Sequence, residues 1–283
     1  PPPHPSTSLP FPLLFFIVVS TLKDFASFIN TLPSDLTLNY YMVIISIIIV
    51  HWYSSLFFQT VFLHRYASHQ MFTMSNFWEK TFFLLTFLTQ GSSFLNPRAY
   101  AILHRLHHKH SDTEKDPHSP VFSKNIIKMN LNTIKHYESV RLNKKDYSNY
   151  DFDVPRWPLL EKLGDNWIVR LLFIGFYSLL YIEFATASWQ YALLPVHFIM
   201  GPLHGSIVNW CGHRYGYTND KKTIDNSKNT LPVDFLVMGE LFQNNHHSKP
   251  TNLKFSRRWF EVDPGYIITK FLSKIKIVRL KNA

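Results

Sequence analysis

The chain has 283 residues, 46% of them apolar, 16% aromatic and only 17% charged, with a formal net charge of +10. So few charges exclude a disordered or coiled-coil protein, and the single cysteine, Cys211, excludes a disulfide scaffold or a cysteine-based zinc site. Nine glycines without a phosphate-cradling loop argue against a nucleotide-binding unit.

Residues 1–12 hold six prolines and read as an extended lead. Residues 9–23 are apolar but barely long enough to cross a bilayer, the alternative being an interfacial or core helix, and no basic region marks them as a secretory signal. Residues 38–63 contain no Lys, Arg, Asp or Glu. At 1.5 Å per residue that run exceeds a hydrocarbon core of about 30 Å, so it predicts a transmembrane helix. Residues 77–96 are apolar but short and interrupted by Gln90-Gly91-Ser92-Ser93, which predicts an interfacial or half-buried helix. Residues 167–187 and 189–210 form a second apolar pair, joined around Ser188-Trp189-Gln190. Of the Lys and Arg residues, 12 lie in 97–166 and 13 in 211–283, while the turns at 24–37 and 188–190 have none. That asymmetry puts both polar segments on the cytoplasmic side and removes the case for nucleic acid, since topology and lipid headgroups explain the charge. The expected fold is an all-α, multi-pass integral membrane protein: four transmembrane helices and a cytoplasmic helical cap holding a dimetal site. One domain is expected over 13–270, followed by a basic tail at 271–283.

Histidine carries the chemistry. Four groups stand out: His64 with His69; His104, His107 and His108; His213; and His246 with His247. Positions i, i+3 and i+4 share a helix face, so the second group is expected to converge on one point. His64 and His69 are five apart, so a regular helix must end or distort between them. Eight imidazoles at helix ends suit a nitrogen-loving metal and are too many for one ion; two ions would leave open positions for a reactant. His51, His197 and His204, inside apolar stretches, read as hydrogen-bonded core residues rather than ligands.

At this level of detail the chain resembles the membrane-bound acyl-CoA desaturases of the stearoyl-CoA Δ9 type. The likeness lies in His64-Arg65-Tyr66-Ala67-Ser68-His69, in the stretch from His104 to Pro120, in Asn209-Trp210-Cys211-Gly212-His213, and in Gly239 to His247, and it covers roughly residues 38–265. The resemblance implies two iron ions, O2 as co-substrate, and insertion of a cis double bond into a saturated long-chain acyl-CoA or other acyl carrier. It also implies that the eight histidines are ligands and that Asn209 holds a metal-bound water. The family's last motif commonly begins with histidine where this chain has Gln243, which could bind directly, act through water, or leave a position free. The polar segments contain no His-Pro-Gly-Gly haem motif, so electrons are expected from a separate donor such as cytochrome b5 or ferredoxin.

Several further roles are expected. Asp112, Glu114, Asp116 and Glu240 are candidates to orient the ligand imidazoles through their second nitrogen. Counting back by helical repeats from His64 gives Thr60, Leu56 and Trp52 as an acyl path, with Trp52 near its closed end. Arg98, Arg105, Arg257 and Arg258 could attract coenzyme A phosphates. The rival functions are a related membrane di-iron alkyl or sterol hydroxylase and, from another class, a histidine-lined metal transporter, whose ligands would sit near the bilayer midplane.

Overall fold

A computed structural model describes residues 37–230 and 233–281. The proline-rich lead and the expected span at 9–23 lie outside the described residues.

Helix α1, Thr37–Phe58, contains no charged residue and continues without a break as a π-helix over Gln59–Ser68. The rod from Met42 to Ser68 and helix α6, Trp167–Phe184, are the two described helices long and apolar enough to cross a membrane. Both expose side chains that water would not tolerate in such density, among them Val50, Leu171 and Ile182, each more than half exposed. The expected hairpin partner at 189–210 is not one straight helix. It is a 3-10 turn (Ser188–Leu193) leading into α7 (Leu194–Phe198), then α8 (Met200–Gly212), bent by 79° at Ile199. Pro202 is the cause: it has no N–H for the Phe198 carbonyl, four residues back, and the Ser92 hydroxyl donates to that carbonyl instead at 3.2 Å. The Gly201 amide donates to Ser93 Oγ at 3.0 Å, and a Cβ at Gly201 would stand 3.0 Å from the Ser93 carbonyl, so the bend is pinned at a glycine with little room beside it. The described residues therefore supply two spans, or three if the bent pair is one.

Helix α2, Asn76–Gln90, is capped by Ser75 and buries Phe82, Phe83 and Phe87 against the rest of the bundle. At 1.5 Å per residue it is about 22 Å long, too short to span. It stops at Gly91, earlier than the expected 96, because Gly91 has φ +50° and its missing Cβ leaves room for the Tyr177 hydroxyl. Between the apolar helices His51 Nδ1 meets His197 Nδ1 at 2.6 Å, with Thr89 O and Tyr181 as the outer partners. His51 and His197 are thus bonded core residues. His204 departs from that reading: it is buried edge-on to Trp52, and neither ring nitrogen has a partner among the described residues.

The polar segments fold into a set of shorter helices. Helix α3, Pro97–His110, starts with proline at its first turn and Asn96 as its cap. It is followed by α4 (Ile126–Arg141), α5 (Pro158–Gly164), α9 (Gln243–Ser248) and α10 (Pro264–Lys274). The chain is not wholly α. Strand β1, Phe72–Met74, pairs antiparallel with β2, Val278–Leu280, with Phe72 opposite Leu280. The expected basic tail at 271–283 is therefore structured over most of its length: it completes α10 and returns as β2, because Val278 is buried and the strand's backbone groups pair with β1. Phe62, Phe72, Phe83, Phe94, Phe242 and Phe255 belong to the largest buried apolar cluster.

Asp234 ties the loop before α9 by accepting from the Leu241 amide at 2.8 Å. Burial, opposed by that bond and aided by the charges of Asp263 and Glu240, pushes its carboxyl up to about 8. Between an unfolded value near 4 and this folded one, the native chain holds a proton that the unfolded chain releases, so stability falls as pH rises through that window. Asp234→Asn keeps the acceptor and removes the ionisation. Its gain in melting temperature over the unmodified chain should be larger at about pH 8.5 than at about pH 5, and an equal offset at both would contradict the assignment.

Candidate metal centre

Each histidine group reaches the site from the end of an element. His64 lies in the π-helix and His69 is its C-cap; the expected distortion between them is a widening, in which the His69 amide donates to the His64 carbonyl five residues back at 3.2 Å. In that geometry residues five apart return to nearly one face. Helix α3 carries His104, His107 and His108, His213 caps the end of α8, and α9 carries His246 and His247.

The eight imidazoles do converge, as two groups rather than one. His64, His69, His104, His108 and His246 form a five-membered group, and His107, His213 and His247 a three-membered one, with the donor atoms of each within 4.8 Å of one another. The expected single point for α3 is thus corrected. His104 and His108 face one group, while His107, about 100° round the helix from its neighbour His108, faces the other. The Nε2 atoms meet head-on: His69 to His104 at 2.7 Å, His108 to His104 at 2.9 Å, His108 to His246 at 3.0 Å, His64 to His246 at 3.1 Å, and His107 to His247 at 3.3 Å. With metal–nitrogen bonds of about 2.1 Å, two ligands at right angles sit about 3.0 Å apart, so this spacing fits nitrogen donors around a first-row ion.

Charge state and orientation agree with that fit. Burial, reinforced by mutual repulsion, pushes His69, His104, His107, His108 and His246 well below the ordinary histidine range, so they are neutral and carry a free lone pair at neutral pH. Carboxylates hold the far nitrogens of four rings. Asp116 is 2.9 Å from His107 Nδ1, Asp112 2.9 Å from His213 Nδ1, and Glu240 2.5 Å from His64 Nδ1. The fourth, Asp225, lies 2.5 Å from His247 Nδ1 and was not anticipated. It sits on a loop 22 residues before its partner, where no spacing rule points to it. Burial would raise the Asp225 carboxyl, but the bonds from His247 and Ser227 outweigh it and hold it well below the usual carboxylate range. Glu114, by contrast, is exposed and orients nothing. His118 was also missed: it is buried 4.4 Å from the His107 ring, with neither nitrogen partnered, and burial pushes it down to about 3. Asn209 stands one turn before His213 on α8, and Gln243 one turn before His247 on α9.

Other expected residues serve the scaffold. Arg65, fully buried, pairs with Glu240 at 2.5 Å and Asp263 at 3.0 Å and stacks on Phe255. Thr60, expected on the acyl path, belongs to this cluster, bonded to both Arg65 and Glu240. Leu56 packs among Val237, Met238 and Leu241, and Trp52 donates to the Leu236 carbonyl at 2.8 Å. Arg105, one of the expected phosphate ligands, spends its guanidinium on the carbonyls of Ala67, Ser68, Tyr150 and Phe152, clamping the π-helix to α3. Arg98 pairs with Asp151 at 2.6 Å, whereas Arg257 and Arg258 are exposed. Asn244 and Asn245, beside the last histidines, fix α9 by bonds to the 219–220 backbone, the Phe255 carbonyl and Glu261.

Removing one orienting carboxylate should loosen an ion without unfolding the cap. Asp225→Asn is expected to weaken metal retention about 10- to 100-fold, as read by titration with a competing chelator. Unchanged retention would mean that Asp225 merely closes its loop.

Sequence comparison agrees with this geometry. The profile of the fatty acid desaturase family matches residues 38–264. The chain is 27% identical over 223 residues to an sn-1 stearoyl-lipid 9-desaturase of Synechocystis sp., covering 78% of this chain and 65% of that protein, so it spans just under two thirds of that relative. It is 27% identical over 246 residues to a hex-5-enoyl-[acyl-carrier protein] acetylenase of Moorena producens, covering 83% and 75% of the two chains. It is also 28% identical over 221 residues to a Delta-9 desaturase-like 5 protein of Arabidopsis thaliana, covering 74% and 67%. With most of its length matched and its histidines gathered at one site, the chain belongs to the fatty acid desaturase family.

Proposed function

We propose that this chain is a membrane-bound, O2-dependent desaturase that places a cis double bond at the Δ9 position of a saturated long-chain acyl group, using two iron ions held by the eight histidines. The convergence of eight buried or half-buried imidazoles into two adjoining groups carries this reading. The reaction removes two hydrogens from neighbouring methylenes and reduces O2 to two waters, which requires two further electrons and two protons from outside. A separate carrier such as cytochrome b5 or ferredoxin supplies those electrons. Bound iron would supply the oxidising power that no side chain has.

The chain's own residues do the rest. His64, His69, His104, His108 and His246 would hold one ion, and His107, His213 and His247 the other, with Asn209 and Gln243 next to the second. Asp112, Asp116, Asp225 and Glu240 fix the rings. The apolar helices keep water from the reacting carbons. Four spans, one of them at 9–23, with the cap on the cytoplasmic face, suit the concentration of Lys and Arg in the two polar segments. Trp52, the most membrane-ward of the stripe ending at Thr60, is read as the floor of the acyl path.

The resemblance implies acyl-CoA as the carrier. Arg98 and Arg105, however, are engaged internally, which removes two of the four cations expected to meet its phosphates and favours a lipid-linked chain, the kind named for the Synechocystis relative. A sterol or alkyl hydroxylase would share the histidines, and a transporter would move ions without consuming O2.

Gas chromatography of fatty acids from a desaturase-deficient host decides among these. Expression should yield Δ9-monounsaturated chains, which His107→Ala abolishes; a hydroxylated product, or none with iron and O2 present, would reject the reading. Separating lipid-, coenzyme A- and carrier-protein-linked pools shows where the double bond first appears. Trp52→Ala should shift the product toward longer chains, and an unchanged length profile would remove Trp52 from the path.

A further inference from the structure

We propose that the two metal positions of this chain are unequal: the three-histidine position is the labile, coordinatively open one, and Gln243 is what leaves it open. The inference rests on the metal-centre reading above and adds a role for one residue to it.

The five-histidine group has enough imidazoles to surround an ion, whereas His107, His213 and His247 leave at least one coordination position to be filled. Gln243 is the side chain built to stand there. It is buried, with 2% exposure, and lies one turn before His247 on the same face of α9. Its Cγ would be only 2.4 Å from a Cβ at Gly212, so the side chain crosses the backbone next to His213, and glycine at 212 is what lets it pass. Gln243 is therefore flanked by two of the three histidines. Its Nε2 is spent on the Glu240 carbonyl at 2.6 Å, leaving only a neutral amide oxygen to offer a metal. Such an oxygen is a weaker ligand for an imidazole-preferring ion than a fourth ring would be.

No other described side chain supplies a direct fourth ligand: Asn209, one turn before His213, is assigned to a bound water and not to the ion itself. His118 has free nitrogens, but its donor atom groups with His107 and Asp116, on the carboxylate side of the His107 ring, and not with His213 and His247. The three carboxylates behind this group, Asp112, Asp116 and Asp225, make its rings better donors without adding a ligand. The predicted consequence is an ion that is held but exchanges readily.

The test loads the purified full chain with Fe(II) anaerobically in detergent and follows iron release to an excess of chelator, counting bound metal throughout. The unmodified chain should release one ion quickly and one slowly. Gln243→His should slow the fast phase at least about tenfold while leaving the slow phase alone. His213→Gln should abolish only the fast-releasing ion, and it decides the matter if Gln243→His does not fold, as loss of its slow phase would reveal. Two ions leaving in a single phase, a fast phase unmoved by Gln243→His with the slow phase intact, or loss of the slow ion in His213→Gln would overturn the proposal. A chain that retains no iron at all defeats the metal-centre reading itself, a result distinct from two equivalent ions.

Discussion

The structure depends on forcing the nitrogens of eight buried or half-buried imidazoles to face one another. Head-on lone pairs are repulsive, and a buried polar atom without a partner costs about 1–3 kcal/mol. Such an arrangement survives only if the rings cannot turn away and a cation can satisfy them. Four carboxylates supply the first condition by holding the rear nitrogens of His64, His107, His213 and His247. Burial supplies the second for His69, His104, His107, His108 and His246, since it keeps those rings unprotonated and ready to coordinate.

Rigidity comes from how the donors are mounted. The π-helix delivers two of them from the end of a rod long and apolar enough to cross a membrane, and the Arg105 guanidinium clamps that end to α3, which delivers three more. The Arg65–Glu240–Asp263 cluster joins the same π-helix to the segments around α9 and α10, in a pocket so tight that Gly265 cannot carry a side chain. An unpaired charge at that depth would cost several kcal/mol, so the three residues stand or fall together. The bend at Ile199 belongs to the same economy of space: it sets the direction of α8, whose end carries His213.

The chain is basic overall, yet Asp112, Asp116, Asp225 and Glu240 lie against the histidine rings, where they would offset part of the charge of any bound metal. The exteriors of α1 and α6 remain apolar, in contrast to this charged interior.

The sequence by itself determined that the chain is helical and membrane-associated, and that eight particular histidines belong together. Apolar run length and residue spacing are local quantities, and a helix preserves them in space. Local spacing also required a distortion between His64 and His69, and of the four candidate carboxylates Asp112, Asp116 and Glu240 lie against histidine rings whereas Glu114 is exposed. It did not determine the straightness of the segment at 189–210, the pairing of the C-terminal strand with Phe72–Met74, the role of Asp225, or the use of Arg105 and Thr60 as scaffold. Those were decided by tertiary structure, because each is a contact between residues far apart in the chain. Nor could spacing divide eight donors into five and three, since which side of α3 meets which neighbour depends on the angles at which the other helix ends arrive.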